Sequence, residues 1–269
     1  MKMFTGAVCA FSLSLALAAC GGAADTATEE TATGTFAGTW VGQVESLEDD
    51  QVRSYVIADG TYTCNHCIPA YSVATSGEYE TVERPGADGI KVALVDDSTV
   101  EFGIRLDDKE INTGTWTVSE DGNTLTVEST DMSGETPVSS TTTYERAAAG
   151  PEGSHAASGE WKFAGLSEME EAARTFTFTI DGDQFTQTFV DGDMTMTIGG
   201  EPVVPEWSTT GAATAVEKIS DTAYKFTTTL DGEVINTTEM SVEGDTLTGT
   251  STDPRTGSTS TYKATRKTS

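Results

Sequence analysis

The chain contains two copies of one β-rich unit. Gly38-Thr39-Trp40 is matched by Gly159-Glu160-Trp161, and the match returns further along each copy. The later matches, in the same order, are Phe102, Leu106, Asp107, Ile111, Asn112 and Thr113 with Phe226, Leu230, Asp231, Ile235, Asn236 and Thr237, then Thr124-Leu125-Thr126 with Thr246-Leu247-Thr248, and Thr143-Tyr144 with Thr261-Tyr262. The repeat is too long to be one turn of a solenoid, so we interpret each copy as a domain.

The secondary structure of both copies is predicted to be β-strand almost throughout. Arg174 to Ile180 alternates threonine with aromatic or branched residues, and Ile111 to Val118 is similar. A period of two in β-forming residues indicates half-buried antiparallel strands. Asp-Gly pairs between such stretches, as at Leu230-Asp231-Gly232, indicate hairpin turns. One helix is predicted, from Ser167 to Ala173, with Ser167 capping an acidic first turn.

The repeat, and the composition of the segment between its two copies, predict how the chain divides into domains. Residues 36–146 are predicted to form the first β domain, and residues 159–269 are predicted to form the second. Residues 147–158 are small, contain glycine and proline and follow no pattern, so we predict a linker there. Residues 20–35 have a similar polar character and are predicted to be a flexible tether.

G-x-W at the start of each β unit resembles the signature of the lipocalin and calycin superfamily. The resemblance implies an all-β fold of two tandem antiparallel meander barrels, and closing a sheet into a barrel also removes its exposed edges. It further implies that Trp40 and Trp161 form the barrel floors, each beneath a basic residue of a last strand. Arg146 and Arg266 lie at the ends of the predicted last strands and suit that role.

Two other architectures fit the same pattern: a pair of β-sandwiches, and one larger barrel that both copies share. The whole sequence also resembles a group of uncharacterised bacterial envelope proteins that are built from G-x-W repeats with Asp-Gly hairpins. That resemblance covers nearly all of the chain after the N-terminal segment. It supports the fold and implies no activity.

The N-terminal segment predicts where the protein is located. An apolar stretch from Phe4 to Leu17 is shorter than the roughly 20 residues of a transmembrane helix and fits a signal peptide. Leu17-Ala18-Ala19-Cys20 follows and resembles the lipobox of bacterial lipoproteins. The resemblance implies that residues 1–19 are removed and that Cys20 is acylated, which anchors the protein to a membrane. In the resembled family an aspartate after the cysteine favours retention in the inner membrane. Gly21 occupies that position here, so the resemblance implies an outer-membrane protein on the periplasmic or surface face.

The charge balance restricts the partners of the chain. Asp and Glu number 43 against 15 Lys and Arg, which gives a net charge of −28. Nucleic acid and anionic lipid surfaces repel such a chain, so we expect no nucleic acid partner. Asp181-Gly182-Asp183 and Asp191-Gly192-Asp193 offer oxygen atoms to a cation. Asp-Gly is also the preferred chemistry of hairpin turns, and neither segment has calcium-loop spacing, so we favour turns.

Two of the four cysteines belong to the leader and the lipobox, and the other two form the sequence Cys64-Asn65-His66-Cys67. Outside the cytoplasm a close pair is usually a disulfide, so we predict a Cys64–Cys67 disulfide across a turn. A redox motif is the second interpretation, although the helix that would lower a thiol pKa is missing. A zinc site, one ligand short of a closed shell, is the third. The second copy has Gln187-Thr188-Phe189-Val190 instead, so the fold does not require these cysteines.

Few residues suggest catalysis. The chain has two histidines, His66 and His155, and the second lies in the predicted linker. No Ser-His-Asp arrangement, phosphate-binding glycine loop or series of metal ligands can be assembled, so we expect no enzyme, no cofactor and no metal. The expected function is a lipid-anchored, non-catalytic binding module for a small apolar ligand. The alternatives are a structural or protein-interaction lipoprotein with filled barrels and, third, thiol–disulfide exchange at Cys64 and Cys67.

Overall fold

A computed structural model of the protein describes residues 35–268. Within that range the regular secondary structure is almost entirely β-strand, and none of its helical segments is long and apolar enough to cross a membrane. The prediction of an all-β protein is confirmed. The predicted signal peptide, Cys20 and nearly all of the predicted tether lie outside the described residues.

The strands of the first half are β1 Gly38–Asp49, β2 Val52–Ala58, β3 Thr61–Cys64, β4 Tyr71–Ala74, β5 Ser76–Arg84, β6 Ala87–Leu94, β7 Thr99–Leu106, β8 Lys109–Val118, β9 Thr124–Asp131 and β10 Val138–Ala149. The strands of the second half are β11 Gly159–Ser167, β12 Thr175–Asp181, β13 Gln184–Phe189, β14 Gly192–Thr197, β15 Ala213–Ser220, β16 Ala223–Leu230, β17 Glu233–Glu243, β18 Thr246–Thr252 and β19 Thr259–Arg266. A single 3-10 turn, Ala172–Arg174, precedes β12.

The strands form two nearly closed antiparallel barrels. The first barrel has ten strands in the order β4-β3-β2-β11-β10-β9-β8-β7-β6-β5, and the second has nine in the order β14-β13-β12-β1-β19-β18-β17-β16-β15. The edges of the second barrel meet through a backbone bridge between Ile198 and Val216. The edge strands of the first barrel, β4 and β5, meet through side chains. The Arg84 guanidinium on β5 lies 4.3 Å from the centre of the Tyr71 ring on β4. The prediction of two meander barrels is confirmed.

Each first strand lies in the sheet of the other copy. β1, which carries Trp40, pairs with β12 and β19, whereas β11, which carries Trp161, pairs with β2 and β10. The predicted boundaries at 36–146 and 159–269 therefore do not coincide with the barrels. The first barrel consists of residues 52–167, and the second consists of residues 38–49 and 175–266. Since sequential strands tend to pair, β11 continues the meander from β10 and occupies the position beside β2.

The predicted linker is a packed part of the first barrel. β10 extends to Ala149, and Ala157 and Ser158 are fully buried. The Ser158 hydroxyl accepts a hydrogen bond from the Ile57 backbone N–H at 2.8 Å. His155 is held as well, with its Nε2 2.7 Å from the Asp96 carbonyl oxygen. Residues 147–158 connect the two copies, and these contacts bond their backbone groups into the first barrel.

The prediction of a helix from Ser167 to Ala173 is wrong. Ser167 is the last residue of β11, where it pairs with Thr141. Glu168 has a positive φ of 57°, which ends the strand without starting a helix. Only the turn at Ala172–Arg174 is helical.

The alternating pattern explains the strands. In β12 the Phe178 ring is buried, whereas the hydroxyl of Thr177 lies 2.9 Å from the hydroxyl of Thr39 on β1. Aromatic residues therefore face the barrel interior and threonines form cross-strand contacts on the other face. The predicted hairpin at Asp231-Gly232 is present, with positive φ at both residues as a type I′ turn requires.

Candidate functional site

An arginine and a tryptophan close one end of the first barrel. The Arg146 guanidinium lies 4.0 Å from the centre of the buried Trp161 ring. Its Nη1 donates to the Ser158 carbonyl at 2.8 Å, its Nη2 donates to the Ala156 carbonyl at 2.7 Å, and its Nε donates to the Gly122 carbonyl. The cation therefore stacks on the indole and satisfies three carbonyl oxygens of the barrel end.

The same arrangement recurs in the second barrel. The Arg266 guanidinium lies 4.2 Å from the centre of the buried Trp40 ring. Its Nη1 donates to the Ala37 carbonyl at 2.9 Å, and its Nη2 donates to the Thr35 carbonyl. Both predicted tryptophans thus lie beneath a predicted arginine, and each pair combines the first strand of one copy with the last strand of the other.

The glycine of each G-x-W motif makes room for the guanidinium. Gly38 and Gly159 have φ of 139° and 136°, a region that side chains disfavour. A Cβ at Gly159 would lie 2.9 Å from Arg146 Nη1, and a Cβ at Gly38 would collide with Arg266 Nη1. One contact therefore explains the motif. The tryptophan ring stacks on the guanidinium, and the glycine leaves the space that the guanidinium occupies.

The two barrels differ in the residue that caps the tryptophan. Trp40 Nε1 donates to the Phe36 carbonyl at 3.2 Å, and Trp161 Nε1 donates to the Ala157 carbonyl at 3.0 Å. The Phe36 ring fills the second barrel, where its centre lies 4.6 Å from that of Tyr224 and 5.1 Å from that of Phe178. Alanine supplies only a methyl group at the corresponding position of the first barrel.

The first barrel contains a partly open cavity of about 180 Å³. Aromatic and aliphatic side chains form most of its wall. The lining residues are Tyr55, Tyr62, Cys64, His66, Cys67, Tyr71, Ile90, Val92, Val100, Phe102, Ile104 and Trp116. Neither Trp161 nor Arg146 is among them, so the floor residues and the cavity are separate features of this barrel.

The Cys64–Cys67 disulfide forms part of the cavity wall. The predicted disulfide is confirmed, with Cα atoms 5.5 Å apart. His66 lies between the two cysteines in sequence, and its Nδ1 is 3.3 Å from Cys64 Sγ. The backbone nitrogen and the carbonyl oxygen of Ser54 each lie 3.2 Å from the same Nδ1, and the imidazole meets the Tyr55 ring edge-on at 4.8 Å. Backbone and aromatic contacts therefore fix the imidazole against the disulfide.

The polar groups of the cavity are uncharged at neutral pH. Burial raises the pKa of the Tyr55 and Tyr62 hydroxyls well above the ordinary value of a tyrosine. Burial also lowers the pKa of His66; a hydrogen bond to the Ser54 backbone opposes this effect, and the charges of Arg53 and Arg84 add to it. The wall thus combines apolar surface with neutral hydroxyl and imidazole groups, which suits an uncharged ligand.

A groove lies on the outer side of the loop that contains Cys64 and Cys67, opposite the cavity. Its volume is about 510 Å³, and His66 and Cys67 line both spaces. Val52 and Ile68 are exposed apolar residues beside it. The segment from Asn65 to Ile68 therefore separates the inner cavity from the outer surface.

Sequence reasoning identified the cysteine pair but missed the aromatic wall. Tyr55, Tyr62 and Trp116 lie at inward positions of alternating strands, a signal that the sequence contains. Alternation alone does not distinguish an inward residue that borders a cavity from one that fills a core.

No protein-family model matches this sequence, and no curated protein matches it. Among solved structures, the chain is similar to a mutant of the fluorescent protein UnaG. The identity is 20%, the match covers 35% of this chain and 72% of that one, and the TM-score is 0.29. A likeness of this extent assigns neither a ligand nor an activity to this chain.

The arginine of the floor is expected to be a major source of stability. Arg146→Met removes a stacked cation and three donated hydrogen bonds, so we expect the free energy of unfolding to fall by about 2–4 kcal/mol. Urea denaturation measures this change. Arg255→Met is the matched control, because Arg255 contacts only the Asp253 carboxylate and its own loop among the described hydrogen bonds and ion pairs. An Arg146→Met chain no less stable than the Arg255→Met chain would contradict this role.

Proposed function

We propose that this chain is a lipid-anchored cell-envelope protein whose first barrel binds a small, uncharged, mainly apolar molecule. The observation that carries the proposal is the cavity of about 180 Å³ lined by aromatic residues and by neutral polar groups. No step of this function requires catalysis, a cofactor or a nucleic acid. The highly acidic composition keeps such a protein soluble beyond its anchor.

The size of the cavity limits the ligand. An apolar protein cavity of roughly 150 Å³ accommodates benzene, so a space of about 180 Å³ suits a compound with one or two small rings. The Tyr55, Phe102 and Trp116 rings offer edge and face contacts to an aromatic ligand. The His66 imidazole and the Tyr62 hydroxyl, which shares a hydrogen bond with Tyr71, are the groups that would orient a single polar substituent. A long fatty acid exceeds this volume.

Filling the cavity is expected to abolish binding. Indole and phenol should each raise the thermal unfolding temperature of the wild-type chain, whereas palmitate should not. Val92→Phe adds a ring to a buried lining position, so these effects should be lost. Val95→Phe makes the same chemical change at an exposed turn and is the matched control.

Two results would contradict the ligand-binding proposal. The first is the absence of any shift with every single-ring probe in the wild-type chain. The second is an equal shift in the Val92→Phe and Val95→Phe chains while both remain folded by circular dichroism.

A structural or protein-interaction role is a second candidate, and it applies best to the second barrel. Phe36, Phe178, Phe185 and Tyr224 pack ring against ring in its interior. Such packing favours a rigid scaffold. Thiol–disulfide exchange at Cys64 and Cys67 is a third candidate, supported only by the exposure of that loop to the outer groove. Equal insulin reduction by wild type and by a Cys64→Ser/Cys67→Ser chain would exclude it.

The membrane anchor is proposed to be the acylated Cys20. We expect the wild-type protein to partition into the membrane fraction of an expressing bacterium and its N-terminal peptide to carry acyl mass. Cys20→Ser should remove the acyl mass, since residue 20 carries the lipid. Cys64→Ser/Cys67→Ser is the control and should leave the acyl mass and the membrane association unchanged. A wild-type chain without acyl mass at Cys20 would contradict the anchor.

A further inference from the structure

The disulfide loop brings three metal-binding atoms together. The ligand atoms of Cys64, His66 and Cys67 all lie within 4.8 Å of one another. The cysteines have the C-x-x-C spacing that zinc sites use, and the second barrel has Gln187 in place of Cys64. The barrel therefore does not require this donor set, which is an addition to the first barrel alone.

We propose that reduction of the Cys64–Cys67 disulfide converts this loop into a binding site for a thiophilic divalent cation of the zinc class. A dithiol reductant supplies two electrons and two protons, breaks the S–S bond and is itself oxidised to a disulfide. The cation then binds both sulfurs and displaces their two protons to solvent. His66 supplies the third ligand, and one coordination position remains for water or a cavity ligand.

Contacts within the loop support the imidazole as a ligand. Nδ1 of His66 is 3.3 Å from Cys64 Sγ, and Nε2 is 3.9 Å away, so the ring faces the sulfur. The Tyr55 ring holds the imidazole in place from one side. The Cα separation of 5.5 Å brings both cysteine side chains to one side of the turn.

The charge of the assembled site favours a divalent cation. Two thiolates and one neutral imidazole around a dication have no net charge, so the site avoids placing an unpaired charge beside the apolar cavity. A monovalent cation on the same ligands would leave a net negative charge there. The outer groove, which His66 and Cys67 also line, provides the path by which an ion enters.

The test uses the full-length chain with Cys9→Ser and Cys20→Ser, so that Cys64 and Cys67 are its only cysteines. The chain is reduced with a phosphine, which becomes a phosphine oxide, and is titrated with Co²⁺ and then Zn²⁺. We expect one equivalent of Co²⁺ to give a sulfur-to-cobalt charge-transfer band that Zn²⁺ removes. The oxidised chain should give no band.

Variants assign the ligands. Cys64→Ser/Cys67→Ser should bind no Co²⁺, and His66→Gln should weaken zinc binding by about tenfold or more. Asn65→Ala is the matched control in the same exposed loop and should bind as the parent does. Circular dichroism of each reduced chain verifies the fold. A folded, reduced chain without a cobalt band would overturn the proposal, as would equal zinc affinity in the His66→Gln and Asn65→Ala chains. Because no cavity ligand is involved, failure here leaves the proposed function standing.

Discussion

The stacking of an arginine on a tryptophan is the contact on which both barrels depend. In each barrel it joins the last strand of one copy to the first strand of the other, and the guanidinium also binds the carbonyl oxygens of the segment that precedes the G-x-W motif. Without it, the carbonyls of the buried Ser158 and the half-buried Ala156 would lose a charged donor. The contact also explains why glycine occupies the first position of both motifs.

The exchange of first strands makes the two copies depend on each other. β11 completes the first barrel and β1 completes the second, so the chain crosses between the barrels twice. The repeated units therefore do not correspond to the barrels. The exchange also lets the barrels specialise, since the residue capping each tryptophan comes from the segment ahead of it: Phe36 for the second barrel and Ala157 for the first.

Much of the fold follows from the sequence, and the exceptions have physical reasons. Alternation predicts the strands, the Asp-Gly pairs predict hairpins, and the doubled motif predicts tryptophans beneath arginines. The exchange of first strands was not predictable, because both motifs present the same tryptophan ring and both partners are arginines. Either arginine could therefore stack on either tryptophan. The cavity was not predictable either, since alternation alone does not distinguish an inward residue that borders a cavity from one that fills a core.

Cross-linking of β1 tests the exchange of first strands most directly. In the exchanged arrangement Thr39 faces Thr177, whereas pairing within its own copy would place it opposite Ser54, the residue that faces Glu160. Two variants, Thr39→Cys/Thr177→Cys and Thr39→Cys/Ser54→Cys, are made in a chain with Cys9→Ser and Cys20→Ser, and their disulfides are mapped by mass spectrometry. The exchange predicts an intramolecular cross-link in the first variant only. A cross-link between positions 39 and 54, with none between 39 and 177, would contradict it.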